Sequence, residues 1–142
     1  MSYFEVLVQH WVETTDTKGN PKSKKVKKLF LVNAMTVTEA EARVVKEMEE
    51  TGGVKEFTVL SVNGSRIANL LQLNNDGESY FDVTTEIEDN ESGKKSKENF
   101  LIVTDNILSV GKSLEWYYAQ FRSYEIILIK RSKISELIVD NE

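Results

Sequence analysis

Cysteine is absent from this chain of 142 residues, histidine and proline occur once each, and no apolar run approaches the ~20 residues that a membrane-spanning helix needs. Without thiols there is no disulfide framework, no thiolate nucleophile and no cysteine zinc site, and the redox compartment stays unspecified. A Ser-His-Asp triad or a histidine-rich metal site would have to run through His10 alone. The first thirteen residues carry Glu5 inside their apolar stretch and no basic segment ahead of it, which does not read as a signal peptide, so the expected location is cytoplasmic. What remains is the composition of a folded protein. Hydrophobic residues make up 40% and charged residues 29%, which argues against disorder. A chain this long buries roughly 68–70% of its unfolded surface, enough for a core without staples.

Self-similarity organises the chain. Ser2-Tyr3-Phe4-Glu5-Val6 returns as Ser79-Tyr80-Phe81-Asp82-Val83, and Ser65-Arg66-Ile67-Ala68-Asn69-Leu70-Leu71 is answered by Ser132-Lys133-Ile134-Ser135-Glu136-Leu137-Ile138. Between these marks each copy runs strand, lysine-rich hairpin, strand, helix, strand. The expectation is an α+β protein, a tandem duplication of a strand-strand-helix-strand unit, with 1–73 as the first ββαβ repeat, 74–79 as linker and 80–142 as the second. Together the copies would form one compact pseudo-symmetric domain, as two antiparallel-rich sheets or one pseudo-two-fold sheet with two helices.

Period-two alternation puts Phe4, Val6, Val8 and Val12 on one face of the first strand, and Phe81, Val83, Thr85 and Ile87 on one face of its counterpart. Thr36 and Glu39 have capping-box spacing, with Met35 positioned to staple onto Ala40, and the helix that follows carries the stripe Val37, Ala40, Val44, Met48. In the second copy Ser109 is the expected N-cap, and Val110, Leu114, Tyr117 and Phe121 form the stripe. The nearly continuous apolar stretches 57–62 and 124–129 read as strands covered on both faces.

The SYFEV opening, the Phe30-Leu31-Val32 strand, the Thr38-Glu39-Ala40-Glu41-Ala42-Arg43 helix start and the repeat itself resemble an uncharacterised family of small two-repeat proteins associated with Bacteroides-type bacteria and their phages. The resemblance implies a phage or mobile-element context and carries no catalytic residue. The second copy departs from it at the helix start, where Ser109-Val110-Gly111-Lys112-Ser113 stands.

Several motifs invite chemistry. Gly111-Lys112-Ser113 lies between strand and helix as in a phosphate-binding loop, but the first glycine of that motif would fall at Asn106. Asp89-Asn90-Glu91-Ser92-Gly93 lacks the spacing and closing glutamate of a calcium loop and reads as a hairpin turn. His10 aligns with Ile87 and reads as a partly buried, hydrogen-bonded core histidine.

Lysine clustering is the stronger signal. Lys18, Lys22, Lys24, Lys25, Lys27 and Lys28 in the first hairpin and Lys94, Lys95 and Lys97 in the second are nine of the 18 basic residues of a chain with net charge −5. Such lysines also protect sheet edges. Residues 74–91, with seven acids and no base, offer them a partner within the protein. Trp116 and Tyr118 are expected to project from the second helix, outside its buried stripe.

These observations favour a non-enzymatic small binding protein, phage or mobile-element derived, that binds and sequesters a small anionic nucleotide-type ligand such as a host defence signal. The expected binding residues are Lys24, Lys25, Lys27, Lys94, Lys95, Lys97, Lys112, Trp116 and Tyr118, with no catalytic residue, metal or cofactor. A homo-oligomer and no membrane partner are expected. The alternative is a protein-interaction, virion or host-takeover component. Nucleic-acid binding ranks third, because the chain is acidic overall and its hairpins lack interleaved aromatics.

Overall fold

A computed structural model describes residues 2–51, 56–72, 79–119 and 123–139. In chain order the elements are β1 (Ser2–Thr15), β2 (Pro21–Ala34), α1 (Val37–Glu50), β3 (Phe57–Gly64), β4 (Asn69–Gln72), β5 (Ser79–Glu88), β6 (Lys95–Thr104), a 3-10 turn (Ile107–Ser109), α2 (Val110–Tyr118), β7 (Tyr124–Arg131) and β8 (Glu136–Ile138). The class is α+β, with two α-helices and two mixed four-stranded sheets among the described residues. Among the described residues no helix is long and apolar enough to cross a membrane.

The first sheet has the order β3-β1-β2-β8 and the second the order β4-β6-β5-β7. Each is built on a long antiparallel hairpin, β1 with β2 and β5 with β6, flanked by one antiparallel and one short parallel strand. The short parallel strands are exchanged. β8, the last strand in the chain's described residues, pairs with β2 through Phe30↔Glu136, Leu31↔Leu137 and Val32↔Ile138. β4, which follows β3 in the chain, pairs with β6. The halves expected from the sequence, 1–73 and 80–142, follow chain order, but the compact units do not: one combines Met1–Ser65 with Ile134–Glu142, and the other is Arg66–Lys133. The 74–79 linker lies, apart from Ser79, outside the described residues.

In the first unit α1 lays Ala40, Val44 and Met48 on Val6, Val8, Phe30, Val32 and Ala34. The helix starts where the sequence places it. Glu39 N–H donates to Thr36 Oγ1 at 3.1 Å, and Glu39 Oε2 accepts from the Met35 N–H at 2.9 Å, one residue ahead of the cap. Arg43 Nη1 then donates to the Asn33 side-chain oxygen, tying the helix to the end of β2. Three details differ from the sequence reading. Val12 and Val37 are exposed, because β1 outruns the span of α1 and because Val37 sits in the first turn, off the i, i+4 ladder of buried residues. Met35 is exposed too and forms no staple on Ala40.

In the second unit Val110, Leu114 and Tyr118 pack on Phe81, Val83, Phe100 and Ile102. The N-terminal cap is Asn106, whose side chain accepts the Ser109 N–H at 3.2 Å, whereas Ser109 makes no side-chain cap bond because it ends the 3-10 turn. Tyr118 is buried and Tyr117 is half-exposed, the reverse of the sequence reading, since the stripe follows the strict i+4 ladder through 110, 114 and 118. Phe121 lies outside the described residues. The Tyr118 hydroxyl shares a 2.6 Å hydrogen bond with Thr85, and its ring stacks on Tyr124 at 4.4 Å between centroids.

Burial raises the Tyr118 pKa above its ordinary 10.0, against the opposing hydrogen bond from Thr85. A raised tyrosine pKa means that the unfolded chain ionises first. The stabilisation is therefore complete below pH 10 and is lost as pH climbs toward the higher folded-state value. The thermal midpoint is expected to fall above pH 10, and Tyr118→Phe is expected to flatten that fall. An unchanged alkaline slope in the variant would contradict this assignment.

The edges of the sheets are also inverted relative to expectation. β3 and β7 are edge strands with several exposed side chains, not strands covered on both faces. Continuous burial falls instead on the inner strands, at Phe30, Leu31 and Val32 in β2 and Phe100, Leu101, Ile102 and Val103 in β6. Register shifts break the pairing between Leu7 and Val8 and between Thr84 and Thr85, leaving Leu60 and Ile127 unpaired as bulges in the edge strands.

Candidate functional site

Both hairpin turns are built alike. The Asp16 carboxylate accepts the N–H groups of Lys18 and Asn20, the Asp89 carboxylate accepts that of Glu91, and Gly19 and Gly93 hold the positive φ that each turn requires. The 89–93 segment is thus a hairpin turn, closed by the Asp89 N–H on the Lys94 carbonyl at 2.9 Å.

Register decides what the hairpin lysines face. In an antiparallel pair, directly opposed residues project from the same face of the sheet. Lys25 lies opposite Trp11 and Lys27 opposite Gln9, with Lys25 Nζ 5.4 Å from the centre of the Trp11 ring. Lys24, opposite Val12, projects from the other face, where Lys28 meets Glu136 at 3.6 Å. The equivalent pairs in the second unit are Lys95 with Glu88 and Lys97 with Glu86. Lys95 Nζ also stands 3.7 Å from Glu86 Oε1. The second hairpin therefore neutralises its own lysines: Lys94, Lys95 and Lys97 are matched by Glu86, Glu88, Asp89 and Glu91. This corrects the reading of two basic hairpins. Only the first is basic.

A cleft opens at the same place in each unit, beside the bulge end of the hairpin. In the first unit it measures about 430 Å³ and is lined by Gln9, Trp11, Glu56, Phe57 and Thr58. In the second it is smaller, about 190 Å³, and lined by Glu86, Ile87, Glu88, Lys95, Ser123, Tyr124 and Glu125. Trp11, 48% exposed, presents its ring on a face that also carries Lys25, Lys27, Gln9 and Thr58.

The remaining site residues separate into other places. Lys112 and Trp116 are exposed one helical turn apart on α2, with Leu108 near them in sequence and 84% exposed. Lys94 sits in the second hairpin turn, its N–H on Ser92 Oγ. Tyr118, expected to be accessible, is buried and held by Thr85, because its place on the helical ladder turns it inward. Gly111-Lys112-Ser113 forms the first turn of α2, and the Ser113 hydroxyl donates to the Ser109 carbonyl at 3.3 Å, leaving no phosphate cradle. His10 is buried, but neither ring nitrogen has a hydrogen-bond partner among the described residues, in contrast to the hydrogen-bonded histidine expected from the sequence.

The sequence draws attention to Trp11 beside His10 without placing it among the expected binding residues, and it gives no notice of Gln9 and Thr58, which share the Trp11 face and line the same cleft. The contrast that marks this face is in the pairing: Trp11 and Gln9 oppose Lys25 and Lys27, whereas Glu88 and Glu86 oppose Lys95 and Lys97 in the second unit.

Compared with known proteins, the chain matches the family described as a domain of unknown function (DUF4494) over residues 2–140. No curated protein and no solved structure matches it.

Proposed function

Because the chain belongs to the DUF4494 family, a domain of unknown function, we propose its role from its own residues: it is a non-enzymatic protein that binds a small anion with a planar ring, of the nucleotide kind, on the Trp11 face of the first hairpin. One observation carries this reading. Opposite equivalent lysines, the second unit has Glu86 and Glu88 while the first has Gln9 and Trp11. Removing two carboxylates leaves Lys25 and Lys27 available to an anion. Placing an indole beside them supplies a surface on which a base can stack. Gln9 and Thr58, directly opposed on β1 and β3, add an amide and a hydroxyl for hydrogen bonding. The lone imidazole, His10, is buried in the core, which leaves acid-base chemistry without its usual agent at this face.

The test uses the two tryptophans. In a Trp116→Phe background, nucleoside mono- and triphosphates are expected to quench Trp11 fluorescence. Lys25→Glu with Lys27→Glu is expected to weaken binding by at least about tenfold, as the loss and reversal of two charge contacts predict, while Lys95→Glu with Lys97→Glu leaves it unchanged. No response at millimolar nucleotide, or equal losses in the two double variants, would overturn the reading. Native mass spectrometry before and after denaturation identifies a ligand carried through purification.

The resemblance to proteins of Bacteroides-type bacteria and their phages supports extending the proposal. A mobile-element protein in the host cytoplasm that holds a nucleotide signal without turning it over would sequester it from host defence. Tandem duplication is part of the same proposal, supported by matching strand orders and by bulges at matching positions. The protein-interaction reading is favoured by the exposed Leu108 and by Trp116, 64% exposed, on α2. Nucleic-acid binding through the same lysines would instead show affinity falling steeply with salt.

A further inference from the structure

We infer that β7 is a dimerisation strand, adding to β7 of a second copy of this chain about a two-fold axis at Leu128 to join two four-stranded sheets into one of eight. Edge strands carry unpaired N–H and C=O groups and are usually blunted by charge, shortness or bulges. Of the four edge strands, β4 and β8 are short, while the longer β3 and β7 each carry a bulge and differ in the side chains they present. β3 presents Thr58, Ser61, Asn63 and Gly64 at the positions where β7 has Glu125, Leu128, Lys130 and Arg131. β7 leaves Ile126, Ile127 and Leu128 exposed in succession, Ile127 by 47%.

The bulge is what makes β7 self-complementary. Ile126 opposes Thr85 and Leu128 opposes Thr84, so Ile127 is skipped. Tyr124, Ile126, Ile129 and Arg131 therefore share the face of Ile87, Thr85, Val83 and Phe81, while Glu125, Leu128 and Lys130 share the other with Glu86, Thr84 and Asp82. A two-fold axis perpendicular to the sheet keeps each residue on its own face, so an antiparallel pairing is allowed only where opposed residues agree in face. With the axis at Leu128 and Ile127 left out of the ladder, every pair agrees. Ile126 meets Ile129 of the second copy, Glu125 meets its Lys130, and Tyr124 meets its Arg131. The contact is isologous, so each of these pairs occurs twice.

Electrostatics favours the same pairing. Within its own sheet Glu125 directly opposes Glu86, a like-charge pair that is unfavourable on a sheet face. A lysine from the second copy on the open side of Glu125 offsets it. In β3 the corresponding pairing would set Thr58 against Asn63 and Phe57 against Gly64, without charge or bulk to hold it.

Sedimentation equilibrium across a concentration series tests the proposal, with circular dichroism to confirm the fold of each variant. The wild-type chain is expected to be a dimer at tens of micromolar. Leu128→Lys is expected to yield a folded monomer, since the side chain is exposed and outside the core. Glu125→Lys and Lys130→Glu should each raise the dissociation constant by about tenfold or more, and the double variant E125K/K130E should restore it, because both pairs are then reinstated with reversed sign. The equivalent change on β3, Ser61→Lys, should leave association unchanged. A wild-type monomer overturns the proposal, as does a dimer that the charge reversals do not weaken or that the double reversal does not restore. If Leu128→Lys fails to fold, the charge reversals decide alone.

Discussion

Deleting residues 134–142 is expected to unfold the unit built on Met1–Ser65, although the deletion lies far from it in sequence. The reason is the strand exchange. Ile134 is buried, Ile138 packs on the cluster around Val6 and Phe30, β8 pairs with the buried end of β2, and the Ser135 N–H donates to the Leu29 carbonyl at 2.9 Å. Fully burying an isoleucine or leucine side chain contributes roughly 1.5–3 kcal/mol, so Ile134 with the partly buried Leu137 and Ile138 supplies on the order of 5 kcal/mol, comparable to the lower end of a small domain's whole stability. Each unit carries its own reporter, Trp11 in the first and Trp116 in the second. In single-tryptophan variants the truncated chain is expected to lose its Trp11 transition or shift it to much lower denaturant, with a smaller shift at Trp116. Coincident transitions at the wild-type midpoint would show that β8 contributes nothing to the first unit. Ile134→Ala is the milder version, with about 2–5 kcal/mol lost for a truncated core side chain.

That exchange was hidden from sequence reasoning for a physical reason. Strands of four and three residues are too short to display a period, and the partner of a parallel strand is set by tertiary packing. The α+β class was legible, and so was the start of α1, because Thr36 and Glu39 satisfy backbone groups within one turn of themselves. The covered strands were misplaced because apolar continuity signals burial without saying against what. Ile126, Ile127 and Leu128 look like core in sequence but flank a bulge on an edge, whereas Leu31, between Phe30 and Val32, is the residue buried on the far face of its sheet. At the candidate site the lysines were legible as a cluster. Their neutralisation was not, since it depends on register: only pairing Glu86 with Lys97 and Glu88 with Lys95 shows that one hairpin is balanced and the other is not.

Replacing His10 by isoleucine is expected to stabilise the protein. The imidazole is 3% exposed, stands between Val26 and Phe57 on neighbouring strands, and both ring nitrogens lack a partner among the described residues. A buried polar group left unpaired costs about 1–3 kcal/mol. The second unit shows what the site accepts, because Ile87 occupies the equivalent position of β5 and is buried in that unit's core. The expected gain is about 1–3 kcal/mol, or several degrees in the thermal midpoint. His10→Ala distinguishes the two contributions. Losing the polar atoms without refilling the space should stabilise less than isoleucine does, or destabilise, because a cavity remains. Destabilisation by His10→Ile itself would mean that the ring nitrogens are satisfied by ordered water, and that the first unit keeps a polar core position for specificity at the site of its counterpart's apolar one. With the gain confirmed, His10 is a stability cost on the core face of β1, and its neighbours Gln9 and Trp11, which project from the opposite face, draw nothing from it.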